Sequence, residues 1–114
     1  MAIRSGPFLA VEVAGRSMLP SVRPGEWWVV LRTRDVRVGQ RVVVERPDRP
    51  GLLVVKRAVR QVEGGWWVEG DNPEESDDSR LFGAVSDDLV VGRLWFRYRP
   101  LVRRRGGPRD AVGG

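Results

Sequence analysis

The chain has no cysteine and no histidine. The first absence excludes disulfides, thiolate metal sites and thiol nucleophiles. The second removes the commonest general base, the commonest metal ligand and any Ser-His-Asp triad. An enzyme built from this chain must work with Ser, Thr, Lys, Tyr, Asp or Glu. Long apolar runs are missing as well. No stretch approaches the roughly 20 residues that cross a bilayer as a helix. Glu12 interrupts the apolar run near the N-terminus, which makes a poor signal peptide. The expectation is a soluble cytoplasmic protein. Lysine is the last scarcity: against 19 arginines there is a single lysine, Lys56.

What is present fits one domain of 114 residues, long enough to bury a core without metal or disulfide staples. The net charge is +5, and much of it is local. Residues 101–114 carry Arg103, Arg104, Arg105 and Arg109 against Asp110, so the tail holds +3 and the body about +2. A body so nearly balanced does not call for a nucleic-acid partner. The reading is a catalytic-size domain over residues 1–100 and a basic, disordered, solubilising tail over 101–114.

Strand signals dominate the body. FLAVEV at 8–13, EWWVVLR at 26–32, QRVVVER at 40–46, LLVVKRAVR at 52–60, GWWVEG at 65–70 and LVVGRLWFRYR at 89–99 are rich in β-branched and aromatic residues. Turn chemistry separates them at Arg23-Pro24-Gly25, Val38-Gly39, Pro47–Gly51 and Glu63-Gly64-Gly65. Gly92, inside the last run, marks a bulge or a close backbone approach. No segment has a helical period; single helical turns are expected at most after Ser17 and near Ser86-Asp87-Asp88. The fold class is therefore all-β, a single domain of curled antiparallel sheet or partly open barrel. Residues 71–87 form a long non-strand segment, and a loop of that length in a compact domain is usually functional. The pairs Trp27-Trp28 and Trp66-Trp67 each put one ring on either face of a strand. One ring of each pair is expected in the core, and for the others core packing and ordinary edge cover stand ahead of a peptide groove or a membrane interface.

Arginine stays protonated under working conditions and cannot serve as a base; lysine can, once burial lowers its pKa. Lys56 follows Leu52-Leu53-Val54-Val55 in an apolar strand, surroundings that disfavour an ammonium ion. An outward-facing strand lysine is the alternative on composition alone. Ser17 leaves a strand through Gly15-Arg16-Ser17-Met18-Leu19-Pro20, a turn that can expose a hydroxyl beside free backbone N–H donors. Gly15 allows close approach there, and the Ser17 N–H is the natural oxyanion donor.

These residues, with a third cluster, resemble the signal peptidase I family of serine peptidases. Ser17-Met18-Leu19-Pro20 and Arg23-Pro24-Gly25 look like its nucleophile box, and Lys56-Arg57 on an apolar strand matches its base. Gly70-Asp71-Asn72, followed by Ser76, Asp78, Ser79, Arg80 and Gly83, reproduces a GDN…S-x-DSR…G pattern, with Val91-Gly92-Arg93 beyond it. The resemblance implies an all-β fold with Ser17 as nucleophile and Lys56 as general base. Ser76 would orient the amine, Asp78 and Arg80 would pair to hold the loop, and Gly70, Asp71 and Asn72 would shape the turn beside the site. It implies no cofactor and no metal. Gly15 stands where many members carry a hydroxyl, so the oxyanion would lean on backbone donors.

Only 16 residues precede Ser17, whereas typical members carry an N-terminal membrane anchor. Together with LLVVKRAV, GGWW-x-x-GDNP and SR-x-FGAV, this is similar to the nickel-type superoxide dismutase maturation proteases. The implied partner is a precursor protein with a short N-terminal extension, the nickel superoxide dismutase precursor. Three other readings stand beside it: a signal peptidase for secretory precursors, a self-cleaving repressor of the LexA type, and a non-enzymatic β-barrel module binding nucleic acid or peptide. The acidic run Glu74-Glu75-Ser76-Asp77-Asp78 lacks the EF-hand glycine and reads as a solvated turn.

Overall fold

A computed structural model describes residues 3–99 and 111–112. Nine strands make one sheet: β1 (Ile3–Ser5), β2 (Phe8–Val13), β3 (Trp27–Leu31), β4 (Arg41–Glu45), β5 (Leu53–Val62), β6 (Gly65–Glu69), β7 (Val85–Ser86), β8 (Val90–Tyr98) and β9 (Ala111–Val112). Their order is β1-β2-β3-β8-β4-β5-β6-β7, every neighbour antiparallel, with β9 added parallel to β2. The sheet curls into a half-barrel, which establishes the all-β class. The six expected strands all form, within two residues at each end.

The curl explains why the valine runs do not alternate with polar residues. Val43 and Val55 face one core with Leu9, Val11, Val13, Met18, Val22, Trp28 and Val30. Val42, Val44 and Val54 face a second with Val36, Ala58, Trp66, Val68, Val85 and Val90. Strands covered on both faces need apolar side chains at every position. Trp27 and Trp28 are both buried, Trp28 in the core and Trp27 closed over by an edge contact with Tyr98. In the other pair Trp66 is buried and Trp67 is partly covered, its face under Arg60.

The segment 71–87 is not bare loop. It holds a 3₁₀ turn at Pro73–Glu75, a short helix α1 (Ser79–Phe82), β7, and the start of a second 3₁₀ turn at Asp87–Leu89. The turn near Ser86 was expected; the helix was not, because four residues carry no readable period. After Ser17 the chain makes turns without helix. Of the tail, only Ala111–Val112 lie within the described residues, and they form β9. Among the described residues no helix is long and apolar enough to cross a membrane.

Gly92 is a close approach. A Cβ there would run into the Leu31 carbonyl and the Val30 side chain of β3, at the point where β8 pairs with β3 on one side and β4 on the other. Backbone on a central strand cannot move aside cheaply. Gly92→Ala is expected to destabilise by about 1–3 kcal/mol, the range for overpacking, read as a lowered urea midpoint with unchanged slope.

Candidate active site

The site forms where β2 ends and β5 passes. Strand alternation puts Lys56 on the same face of β5 as Val54 and Ala58, an apolar surface, with Val42 of β4 directly opposite in register. Only 1% of Lys56 is exposed. Burial dominates its titration: desolvation draws the ammonium down to about 8, with Arg46 and Arg80 pushing the same way and Asp78 and Asp77 resisting. The outward-facing alternative is excluded by this placement.

Ser17 arrives from β2 through a tight turn. The Val13 N–H donates to the Glu26 carbonyl and the Gly25 N–H to the Val13 carbonyl, so β2 stays paired to its last residue. Beyond it, Met18 and Val22 sink fully into the core, joined by a Val22 N–H bond to the Met18 carbonyl of 3.0 Å. These anchors fix the turn. Ser17 itself is fully buried, and its Oγ lies 2.9 Å from the Lys56 Nζ.

The loop after β6 closes round this pair. Lys56 Nζ also reaches Ser76 Oγ at 3.3 Å. The Ser76 hydroxyl donates to Asp78 Oδ2 at 2.8 Å, which leaves its lone pairs turned to the amine. Asp78 is 1% exposed and accepts further bonds from the Gly70 N–H, the Arg80 N–H and two guanidinium nitrogens of Arg80. Burial favours its neutral acid, but Arg80, Gly70 and Ser76 outweigh that and hold the carboxyl well below the usual carboxylate range. It is therefore a fixed anion.

Gly70 was expected to shape a turn; its role in the structure is narrower. A Cβ on it would strike the Ser76 side chain and the Ser17 carbonyl, so only glycine lets the loop lie this close to the nucleophile turn. Asn72 ties the same two pieces: its N–H donates to the Ser17 carbonyl at 2.7 Å and its Nδ2 to the Arg16 carbonyl at 3.1 Å. Asp71 lies one step outward, taking two bonds from Arg57 and one from Ser21. Gly15 is half-buried before the turn. Thus all nine residues singled out in the sequence converge on one region.

Ser79 and Arg57 stood in the motifs without an assigned role, and Arg46 escaped notice. Ser79 is buried and accepts the Val68 N–H, which fastens α1 to β6. Arg46 is 6% exposed, forks onto Asp48, reaches Asp77 and stacks on Phe82. Arg57 points to the opposite face of β5 from Lys56 and grips Asp71. Of the three, only Arg46 had no sequence signal. The acidic run is spent on ion pairs: Glu75 with Arg16, Asp77 with Arg46, Asp78 with Arg80. Among the described residues no three His, Cys, Asp or Glu come together as metal ligands.

An amine near neutrality, 2.9 Å from a hydroxyl and shielded from water, can accept the hydroxyl proton as that oxygen attacks an acyl carbon. Holding it there opposes folding. Between pH about 8 and 10.5 the unfolded lysine keeps its proton while the folded one has lost it, so stability rises with pH across that window. Lys56→Met keeps the apolar stem and removes the amine. It is expected to raise stability at pH 7 by up to about 3 kcal/mol, less what Ser17 and Ser76 lose. The gain should fade above pH 10.5. Chemical denaturation of both proteins at pH 7 and pH 10.5 checks it.

Comparison with known proteins agrees with this chemistry. The Peptidase S24-like family matches residues 1–89. The mitochondrial inner membrane protease subunit 2 of Danio rerio is 35% identical over 127 aligned positions, covering 80% of this chain and 69% of the relative. Subunit 1 from Xenopus tropicalis is 30% identical with the same coverage. Signal peptidase IB of Staphylococcus aureus shares 47% over a short stretch of 38 residues, 33% of this chain and 20% of that protein. With a family match over most of its length and peptidases as its relatives, the chain belongs to the Peptidase S24-like family and is a serine peptidase.

Proposed function

We propose that the protein is a processing endopeptidase in which Ser17 attacks the scissile carbonyl and Lys56 is the general base. One observation carries the assignment: the sole lysine is buried with its amine against the hydroxyl of a fully buried serine, 2.9 Å away. Lys56 takes the Ser17 proton as the acyl bond forms, then delivers it to the departing amine; water repeats the cycle to release the acyl group. The Ser17 N–H is the donor assigned to the developing oxyanion, Gly15 leaving it room. Ser76, anchored by Asp78 and Arg80, is a positioning residue for the amine.

The substrate in this reading is a precursor with a short N-terminal extension, the nickel superoxide dismutase precursor, cut in the cytoplasm. Support comes from the LLVVKRAV, GDNP and FGAV boxes and their likeness to that subgroup. A second reading, processing of secretory precursors at a membrane, draws on one feature. Trp95 and Phe96 are exposed at 56% and 46%, and Phe8 stacks on Trp95, an aromatic surface of the kind that suits a lipid interface. The relatives' names point the same way.

Intact mass of the precursor during incubation separates the two. A single defined loss from its N-terminus, absent with Ser17→Ala, is the expected result. An untouched precursor together with cleavage of a secretory precursor on vesicles would transfer the assignment to the membrane reading. In either assay Lys56→Arg keeps the charge and removes the base, and should lower kcat by about two to four orders of magnitude; full activity in that variant would overturn the Ser17–Lys56 mechanism.

The pH profile follows from the same base. The neutral amine is the active form, so kcat/KM should rise through pH about 8 and level off above. Asp77 favours the ammonium form of Lys56 and is itself exposed. Asp77→Asn should therefore displace the rising limb to lower pH with the plateau preserved. A limb that moves upward would contradict the electrostatic account.

A further inference from the structure

Among the described strands, β9 alone runs parallel to its partner. Ala111 pairs with Glu12 and Val112 with Val13. It lies on the edge of β2 opposite β3, just past the residues paired with β1, and it touches β5 too. The two strands flanking it each supply half of the buried pair. β2 leads into Ser17 four residues beyond Val13, and β5 carries Lys56. Direction matters as well. A strand parallel to β2 travels toward Ser17 in its N-to-C sense. A peptide that offers its acyl carbonyl to Ser17 must run the same way, since the residues before the scissile bond lead up to that carbonyl.

We propose that this chain's own segment at Ala111–Val112 occupies the edge of β2 at Glu12–Val13, facing β5, in competition with an extended substrate strand. A strand edge offers backbone N–H and C=O groups with which any extended chain can pair. Backbone pairing does not depend on side-chain identity, so the tail need not resemble a cut site. Tethering makes a weak contact effective, because a linked segment is present at local concentrations of order millimolar. Two paired residues hold it loosely, which lets a longer substrate strand displace it. The competition with substrate rests on the peptidase reading above; the docking of β9 does not.

The test uses the full-length chain carrying Ala111→Pro and Val112→Pro. Proline lacks the N–H and cannot continue a ladder. Amide hydrogen exchange, read on fragments covering residues 11–16, should show lower protection in the double variant than in the wild type. A synthetic peptide of residues 106–114, added in trans, should restore it. In cleavage of the nickel superoxide dismutase precursor, the variant should show a lower KM with kcat unchanged. The fall is about twofold if the tail fills the site half the time and about tenfold at nine-tenths. Equal exchange in both proteins would overturn the docking. A difference in exchange with equal KM would overturn the competition. No cleavage by either protein would be a failure of the substrate reading alone, and the docking would still be decided by exchange.

Discussion

Lys56 reaches Ser17 only by leaving water, and the surrounding structure is arranged to tolerate that. Its stem lies on an apolar face between Val54 and Ala58, opposite Val42. Those neighbours lower the amine to about 8, the property a base needs near neutral pH. Full neutrality would serve folding better, and a full charge would serve a surface better. The intermediate value requires a measured amount of negative potential, and Asp78 supplies it from behind Ser76. Asp78 can do so because Arg80 and the Gly70 N–H keep it ionised at any working pH.

This arrangement gives the arginines and the lone lysine different work. Arg80, Arg57 and Arg46 each grip a carboxylate with two nitrogens or more, a planar fork that fixes geometry and never titrates. Arg57 and Arg46 tie the loop 70–82 to β5 and the end of β4, and Arg80 braces the loop from within. Lysine would hold those carboxylates as a flexible point charge and would bring further titratable amines near the site. Arginine at Lys56 would fill the same space and leave Ser17 without a proton acceptor. Composition and chemistry thus meet in one position.

Most of this was legible in the order of residues, for physical reasons that differ by element. Strands β2 to β6 and β8 announced themselves because β-branched runs between Gly and Pro turns have few other solutions. Lys56 stood out by scarcity. The Asp78–Arg80 pair and the approach of Ser76 came through the GDN…DSR pattern, whose spacing only a familiar loop makes meaningful. What stayed hidden depends on distance through space. α1 is too short for a period, and its position rests on Ser79 bonding to Val68 of β6. Arg46 looks like any other arginine until Phe82 and Asp77 fold over it. Burial of both Trp27 and Trp28 needs Tyr98 at the far end of the chain. The strand at Ala111–Val112 needs an edge that exists only after the sheet has closed on itself.

That closure also sets the distance between Ser17 and Lys56. In the sheet β2 and β5 are separated by β3, β8 and β4, so no ladder of hydrogen bonds holds Ser17 against Lys56. They meet because the sheet curls until Val13 and Met18 pack in one core with Val43 and Val55. The 2.9 Å between Oγ and Nζ is therefore a product of core volume, and a methylene gained or lost at Val43 or Val55 acts on the site as well as on stability. Curling brings β2 and β5 together without pairing them, and the edge of β2 that leads to Ser17 takes β9 instead. A half-barrel that builds its active site by closure thereby creates, with the same movement, the strand edge along which a polypeptide can be laid.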